Sequence, residues 1–158
     1  MVELEEIEIL AKKMPIEEVL KNFKWKEFEE IVAEIFRAHG FVVKKNFRFK
    51  AERRYEIDVL AVRNNLIFCV DCKRWSGGRY KKSRIKMCVA EQEKRVEALK
   101  SLLNKEKTLK DCLKVGENFE IKPLLITLME EDLREEKNTL IVPIFKLNSF
   151  LIEAECYF

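Results

Sequence analysis

The 158-residue chain has little of what disordered, membrane-spanning or disulfide-stapled proteins need. Glycine and proline together supply 7 residues, whereas 47% of residues are apolar, which is typical of a globular chain with a sizeable core. No apolar run approaches the roughly 20 residues that cross a membrane, and the acidic N-terminus does not resemble a signal peptide. Five irregularly spaced cysteines argue against a disulfide framework. We therefore expect a cytoplasmic protein without a membrane partner.

Histidine, glutamine and aspartate are also scarce. The single histidine, His39, excludes a zinc site with two histidine ligands, and its place at the end of a predicted helix favours a structural role. Cys69 and Cys72 form a CxxC pattern, but on a strand they point to opposite faces and cannot easily share a metal or a disulfide. Aspartate supplies only 4 of the 28 acidic residues, so two aspartates placed close together need a specific reason.

Charge is distributed unevenly along the chain. Residues 44–86 contain 14 Lys or Arg against 4 Asp or Glu, a local charge of +10, whereas the remainder carries −7. A basic segment in an acidic frame favours a polyanionic partner, and nucleic acid in particular. The competing interpretation is an ordinary solvated surface.

Hydrophobic periodicity predicts a mixed α/β fold. Residues 3–22 are predicted to be helical, which suggests an N-terminal helical extension (1–24) followed by one globular domain (25–158). An amphipathic helix over residues 25–39 should end at Gly40 in a Schellman motif. Strands are predicted at 41–49, 55–62, 66–73, 121–128 and 140–145. Helices are predicted at 84–103 and 146–155, and a second helical segment follows the first of these and ends at residue 115. The order α-β-β-β-α-β-β-α indicates a mixed sheet flanked by helices.

A predicted hairpin places two aspartates opposite each other. Asn64 and Asn65 suit a tight two-residue turn, and that turn makes Asp58 face Asp71 on one side of the hairpin. Opposed carboxylates destabilise a sheet. A divalent cation that binds both removes the repulsion, so the pattern predicts a metal site.

Lys73 lies two residues beyond Asp71 on the same predicted face, opposite Glu56. It can hold an attacking water or stabilise charge on a reacting phosphate. The competing interpretation is a surface hairpin with a Glu56–Lys73 ion pair, which leaves the opposed aspartates unexplained. Two further D/E-x-K triplets, at 120–122 and 135–137, have no aspartate across a hairpin.

Two helical residues are candidates for the same site. Glu29 lies at the rim of the apolar face of helix 25–39, where it either extends the metal shell or flanks the core. Gln92, the only glutamine, occupies a core-facing position on the next helix. A buried amide needs hydrogen-bond partners, which either an active centre or a strand edge supplies.

The loop after Lys73 is the predicted substrate surface. Residues 73–86 are half basic, with two interleaved aromatics, a pattern that suits contacts to phosphates. The predicted DNA-binding residues are Arg74, Trp75, Arg79, Tyr80, Lys81, Lys82 and Arg84. Basic residues between positions 44 and 54 extend this surface.

Four segments carry a resemblance to a known family: Trp25 to Glu29, Gly40-Phe41, Glu56 to Val59, and Cys69 to Trp75. Together they resemble the Mrr-like branch of the PD-(D/E)XK nucleases, with its restriction-endonuclease-like αβββαβ core. The chain departs from the name-giving motif at Ile57, where proline would precede the aspartate.

The resemblance implies Mg²⁺-dependent hydrolysis of DNA phosphodiester bonds, with Mn²⁺ as a substitute ion. It assigns the metal to Asp58, Asp71 and the helix carboxylate Glu29, and the catalytic lysine to Lys73. Gln92 is similar to the helix glutamine of some branches.

Several functions remain open on the sequence. The leading prediction is a DNA endonuclease of restriction or repair type, with a separate specificity subunit as a candidate partner because no target-recognition domain is visible. A junction-resolving homodimer, paired through the apolar residues 156–158, is a related alternative. A non-catalytic nucleic-acid-binding module and a protein-interaction module that uses the acidic frame are the others.

Overall fold

The computed structural model describes residues 25–74, 81–128, 131 and 134–157. The predicted extension (1–24) and residues 75–80 of the basic loop lie outside this range. The helices are α1 (Trp25–Ala38), α2 (Lys81–Lys105), α3 (Lys107–Leu113) and α4 (Ile144–Tyr157). The strands are β1 (Val42–Lys50), β2 (Arg54–Arg63), β3 (Leu66–Lys73), β4 (Glu120–Thr127), β5 (Glu135–Glu136) and β6 (Thr139–Pro143). None of the helices described is both long and apolar enough to cross a membrane.

The strands form one mixed sheet in the order β1-β2-β3-β4-β6-β5. The pairs β1–β2 and β2–β3 are antiparallel, β3, β4 and β6 are mutually parallel, and β5 is an antiparallel edge strand. This confirms the predicted mixed sheet flanked by helices. The two-residue β5 is absent from the prediction, since two consecutive glutamates carry no strand periodicity.

The tight turn between β2 and β3 sets the register of the hairpin as predicted. Asn64 adopts a positive φ of 54°, and Val59 pairs with Val70. The ladder ends at that pair, so Asp58 and Asp71 are the next residues beyond it. Antiparallel pairing thus delivers both carboxylates to one end of the hairpin.

Both faces of the sheet are buried. On one face, α1 and α4 pack over Val59, Phe68 and Cys72; on the other, α2 and α3 pack over Leu60 and Cys69. Cys69 and Cys72 therefore lie on opposite faces, which confirms that the CxxC pattern is not a shared site.

Ile57 departs from the predicted alternation. The sequence places it on the same face as Val59, but it packs with Leu60 in the cluster beneath α2. The β1–β2 pairing is interrupted opposite Asp58, where Asn46 has a φ of 51°. Regular alternation fails at such a break, so the prediction for Ile57 is wrong.

A Schellman motif ends α1, as the sequence predicts. Gly40 has a φ of +81°, its N–H donates to the carbonyl of Arg37 (3.0 Å), and the N–H of Phe41 donates to the carbonyl of Phe36 (3.2 Å). This left-handed residue turns the chain from α1 directly into β1.

Gly40→Ala should lower the free energy of unfolding by about 1 kcal/mol, because alanine disfavours the left-handed backbone. A methyl group there would meet only Arg63 Cδ at 3.6 Å, which is an ordinary contact. Gly116→Ala is the control: its φ is not positive, and its methyl would meet Asn65 Oδ1 at 3.5 Å. Urea unfolding that gives equal losses for both variants would contradict this assignment.

Candidate active site

Asp58 and Asp71 come into contact at the end of the β2–β3 hairpin. Oδ2 of Asp58 accepts a hydrogen bond from the backbone N–H of Cys72 at 3.0 Å, which holds this carboxylate against β3. Asp71 is only 4% exposed, and its Oδ2 is buried without a hydrogen-bond partner among the described residues. An orphaned carboxylate oxygen in a native fold is costly and points to a missing partner.

The electrostatic surroundings of Asp71 pull in both directions. The pKa of Asp71 is raised to about 7 as the net result of these surroundings: burial, the largest cause, and contact with Asp58 raise it, whereas Lys73 and Arg95 lower it. The Nζ of Lys73 lies 3.4 Å from Oδ1 of Asp71, and Nη1 of Arg95 lies 3.9 Å from Oδ2. Two nearby cations therefore only partly offset the cost of burying Asp71 beside a second carboxylate.

The carboxylate pair fits a hard divalent cation. Two acidic oxygens from adjacent strands, one of them orphaned, match the preference of Mg²⁺ for one or two carboxylates together with several waters. Over the range that the structure describes, no group of three His, Cys, Asp or Glu side chains is close enough to hold a metal. Asp58 and Asp71 would thus supply the protein's two side-chain ligands.

Glu29 lies near this pair without joining it. The side chain is buried in α1, and its charge, behind burial and the charges of Asp58 and Asp71, helps to raise the pKa of the Cys72 thiol. The charges of all three carboxylates therefore act on Cys72 of β3. A role for Glu29 in metal binding stays a prediction.

Gln92 ties α2 to the sheet. Its Nε2 donates to the carbonyl of Cys69 at 2.7 Å and, more weakly, to that of Leu124 at 3.4 Å. Its Oε1 accepts a hydrogen bond from Nη1 of Arg95 at 3.1 Å. The amide therefore contacts carbonyls of the central strands β3 and β4 and is linked to the carboxylates through Arg95.

Arg95 is absent from the predicted site. On a helical wheel it looks like one more basic residue of a charged helix, yet its guanidinium lies beside Asp71. Its position three residues after Gln92 was the available signal, because residues at that spacing share a helix face.

The predicted DNA-binding residues that the structure describes lie at the end of β3 and at the start of α2. Arg74 follows Lys73 and is half-buried, and Lys82 and Arg84 are exposed on the first turns of α2. Lys81 begins α2, whereas Trp75, Arg79 and Tyr80 lie outside the described residues.

Part of the basic surface before the hairpin is already paired. Glutamates neutralise three of its residues: Lys45 pairs with Glu30, Arg48 with Glu56 at 2.8 Å, and Arg53 with Glu91 at 3.1 Å. Glu56 pairs with Arg48 and Lys73 with Asp71, so the Glu56–Lys73 ion pair of the competing interpretation is not found among the described residues.

His39 has a structural contact, in keeping with its prediction. Its Nε2 lies 2.6 Å from Oδ1 of Asn148, which joins the end of α1 to α4, and its carbonyl accepts a hydrogen bond from Arg63 at 2.7 Å.

Asp71 should make the metal-free protein less stable as pH rises. Folding raises its pKa from about 3.9 in the unfolded chain to about 7, so the native state holds the proton more tightly. Its penalty is absent below about pH 4 and complete above about pH 7. Urea unfolding in EDTA should therefore show Asp71→Asn gaining stability over the wild type as pH rises from 5 to 8.

Asp111→Asn is the matched control, since Asp111 is exposed on α3. The pH trend of the Asp71→Asn difference should exceed the trend of this control. If the two trends are equal, the buried carboxyl does not titrate as described.

Comparison with known proteins identifies the family. The sequence profile of the nuclease-related domain, NERD, matches residues 24–128. An uncharacterized protein from Archaeoglobus fulgidus is 33% identical over 135 residues, which cover 85% of this chain and 94% of that protein.

Two crystal structures resemble the fold more distantly. One, of a protein of unknown function, has a TM-score of 0.40 at 19% identity over 78% of this chain and 52% of that one. The other, from Vibrio cholerae, has a TM-score of 0.38 at 17% identity over 83% and 32% of the two chains. The chain thus spans about half the length of the first protein and a third of the second. The matched profile and the archaeal relative show that the chain belongs to the nuclease-related domain family, within the PD-(D/E)XK-like nuclease fold.

Proposed function

We propose that the protein is a metal-dependent DNA endonuclease, a hydrolase of the Mrr-like kind whose active centre consists of Asp58, Asp71 and Lys73. The observation that carries the proposal is the contact of two carboxylates, in which Oδ2 of Asp71 is buried without a hydrogen-bond partner among the described residues and the Lys73 ammonium lies 3.4 Å from Oδ1. Membership of a nuclease-related family supports the same reaction class.

The chain orients its acidic groups before any ion binds. The backbone N–H of Cys72 holds the Asp58 carboxylate by a hydrogen bond. Asp71 is held by its burial on β3. When bound, Mg²⁺ or Mn²⁺ supplies Lewis-acid chemistry, lowering the pKa of a water and neutralising phosphate charge. Such preorganised charges cost no rearrangement during the reaction.

Lys73 supplies the fixed positive charge of the centre. Its side chain is a quarter exposed, so the ammonium contacts Asp71 and is also open to a substrate outside the sheet. In that position it orients the attacking water or stabilises the charge that develops on the phosphate.

The substrate is proposed to lie over the end of β3 and the start of α2. Arg74, Lys82 and Arg84 are the described cations there, and they suit phosphate contacts without base reading. We further propose restriction- or repair-type cleavage in the cytoplasm, with a homodimer or a separate specificity subunit as a partner.

Cleavage assays with matched lysine variants test the proposal. Purified protein should cut plasmid, linear, single-stranded or branched DNA with Mg²⁺ or Mn²⁺ and not with EDTA. Lys73→Ala and Asp58→Ala should each lower the rate by about 100-fold or more, because each removes a preorganised charge.

Lys122→Ala is the control for Lys73→Ala. Lys122 belongs to another strand triplet of the same spacing, with Nζ 3.8 Å from Glu120, but no aspartate faces it across a hairpin. Its variant should cleave at the wild-type rate within about twofold. Metal-independent DNA binding without cleavage of any substrate would contradict the proposal and favour a binding module. A preference for branched DNA would favour the junction-resolving alternative.

A further inference from the structure

Arg95 presents unused hydrogen-bond donors beside the carboxylate pair. Its guanidinium makes one hydrogen bond within the described residues, to Gln92 at 3.1 Å. The 3.9 Å separation from Asp71 Oδ2 is an ion-pair contact, too long for a hydrogen bond. Of five N–H donors, most therefore remain available, and the side chain is 26% exposed.

Gln92 determines where the guanidinium lies. The glutamine amide is anchored on the Cys69 carbonyl at 2.7 Å, which orients its oxygen toward Arg95. Because Gln92 is 1% exposed, this anchor is protected from water. A planar cationic fork held in this way suits a phosphate, which accepts two parallel N–H bonds.

We propose that Arg95, positioned by Gln92, binds a substrate phosphate and leaves Asp71 when DNA arrives. The inference rests on the proposed nuclease function and assigns the centre a second phosphate-directed cation besides Lys73. The sequence pattern does not indicate a role for Arg95. The proposed role in phosphate binding rests on its contacts with Gln92 and Asp71.

The position of Arg95 couples DNA binding to metal binding. In the DNA-free protein its positive charge lies at the orphaned Asp71 oxygen and opposes a second cation there. A phosphate that attracts the guanidinium away removes this opposition. Metal and DNA should therefore strengthen each other's binding, and the coupling is necessarily reciprocal.

Three variants of the full chain test the inference by binding alone. Arg95→Met removes the charge and the donors, Arg95→Lys keeps the charge without the fork, and Lys94→Met removes the neighbouring charge. Lys94 is 64% exposed and contacts Glu91 at 3.5 Å, so it is the matched control. Calorimetry measures Mn²⁺ affinity without DNA, and fluorescence anisotropy measures affinity for a labelled duplex in EDTA across salt concentrations.

Arg95→Met should bind Mn²⁺ several-fold more tightly than the wild type and DNA about tenfold more weakly. The slope of log affinity against log salt concentration is negative, and its magnitude should decrease by about 1 in this variant. Arg95→Lys should keep the Mn²⁺ affinity and lose part of the DNA affinity, whereas Lys94→Met should change both by less than about twofold. Circular dichroism melting establishes that each variant is folded.

Opposite shifts in the two affinities distinguish this role from a structural one. If Arg95→Met weakens both, or behaves like Lys94→Met, the inference is wrong while wild-type cleavage leaves the nuclease proposal intact. If the wild type neither binds Mn²⁺ nor cleaves DNA, the nuclease proposal fails and the inference fails with it.

Discussion

Asp71 is buried in contact with the half-buried Asp58, and the surrounding groups are arranged around that unfavourable contact. Burial and the neighbouring carboxyl raise the pKa of Asp71 to about 7, while Lys73 and Arg95 stand close enough to offset part of the cost. Apolar side chains at positions 58 and 71 would give the folded sheet a lower free energy than two carboxylates do. Ionisable groups with strongly shifted pKa values cluster at functional sites. A protein tolerates such an unfavourable contact where the groups serve a function, such as binding a cation.

The fold supplies the rigidity that this pair requires. Helices α1 and α4 cover one face of the sheet, and α2 and α3 cover the other, so β3 is packed on both sides. The chain leaves the core at the end of β3. Lys73, the last residue of β3, and Arg74 lie between Asp71 and the basic loop. Gln92 adds a bond from α2 to the β3 backbone. Catalytic groups on strands held in this way keep their geometry better than groups on loops do.

Local signals in the sequence were enough to predict much of this arrangement. Asn64-Asn65 fixed the hairpin register, because a two-residue turn leaves no freedom in strand pairing, and Gly40 marked the end of α1. Tertiary packing decided the rest. Ile57 changed face at a break that alternation does not encode, and the distance of Glu29 from the aspartates depends on how α1 docks. Arg95 was missed because a partly exposed arginine resembles surface charge until the helix is placed on the sheet.

The central claim is that Asp58 and Asp71 together bind a divalent cation. Crystals of the full chain soaked in Mn²⁺, with diffraction recorded at the manganese absorption edge, test it most directly. The account predicts an anomalous peak about 2.1 Å from an oxygen of each aspartate, absent in Asp58→Asn crystals. A peak elsewhere, or an unbridged pair at saturating Mn²⁺, would contradict it.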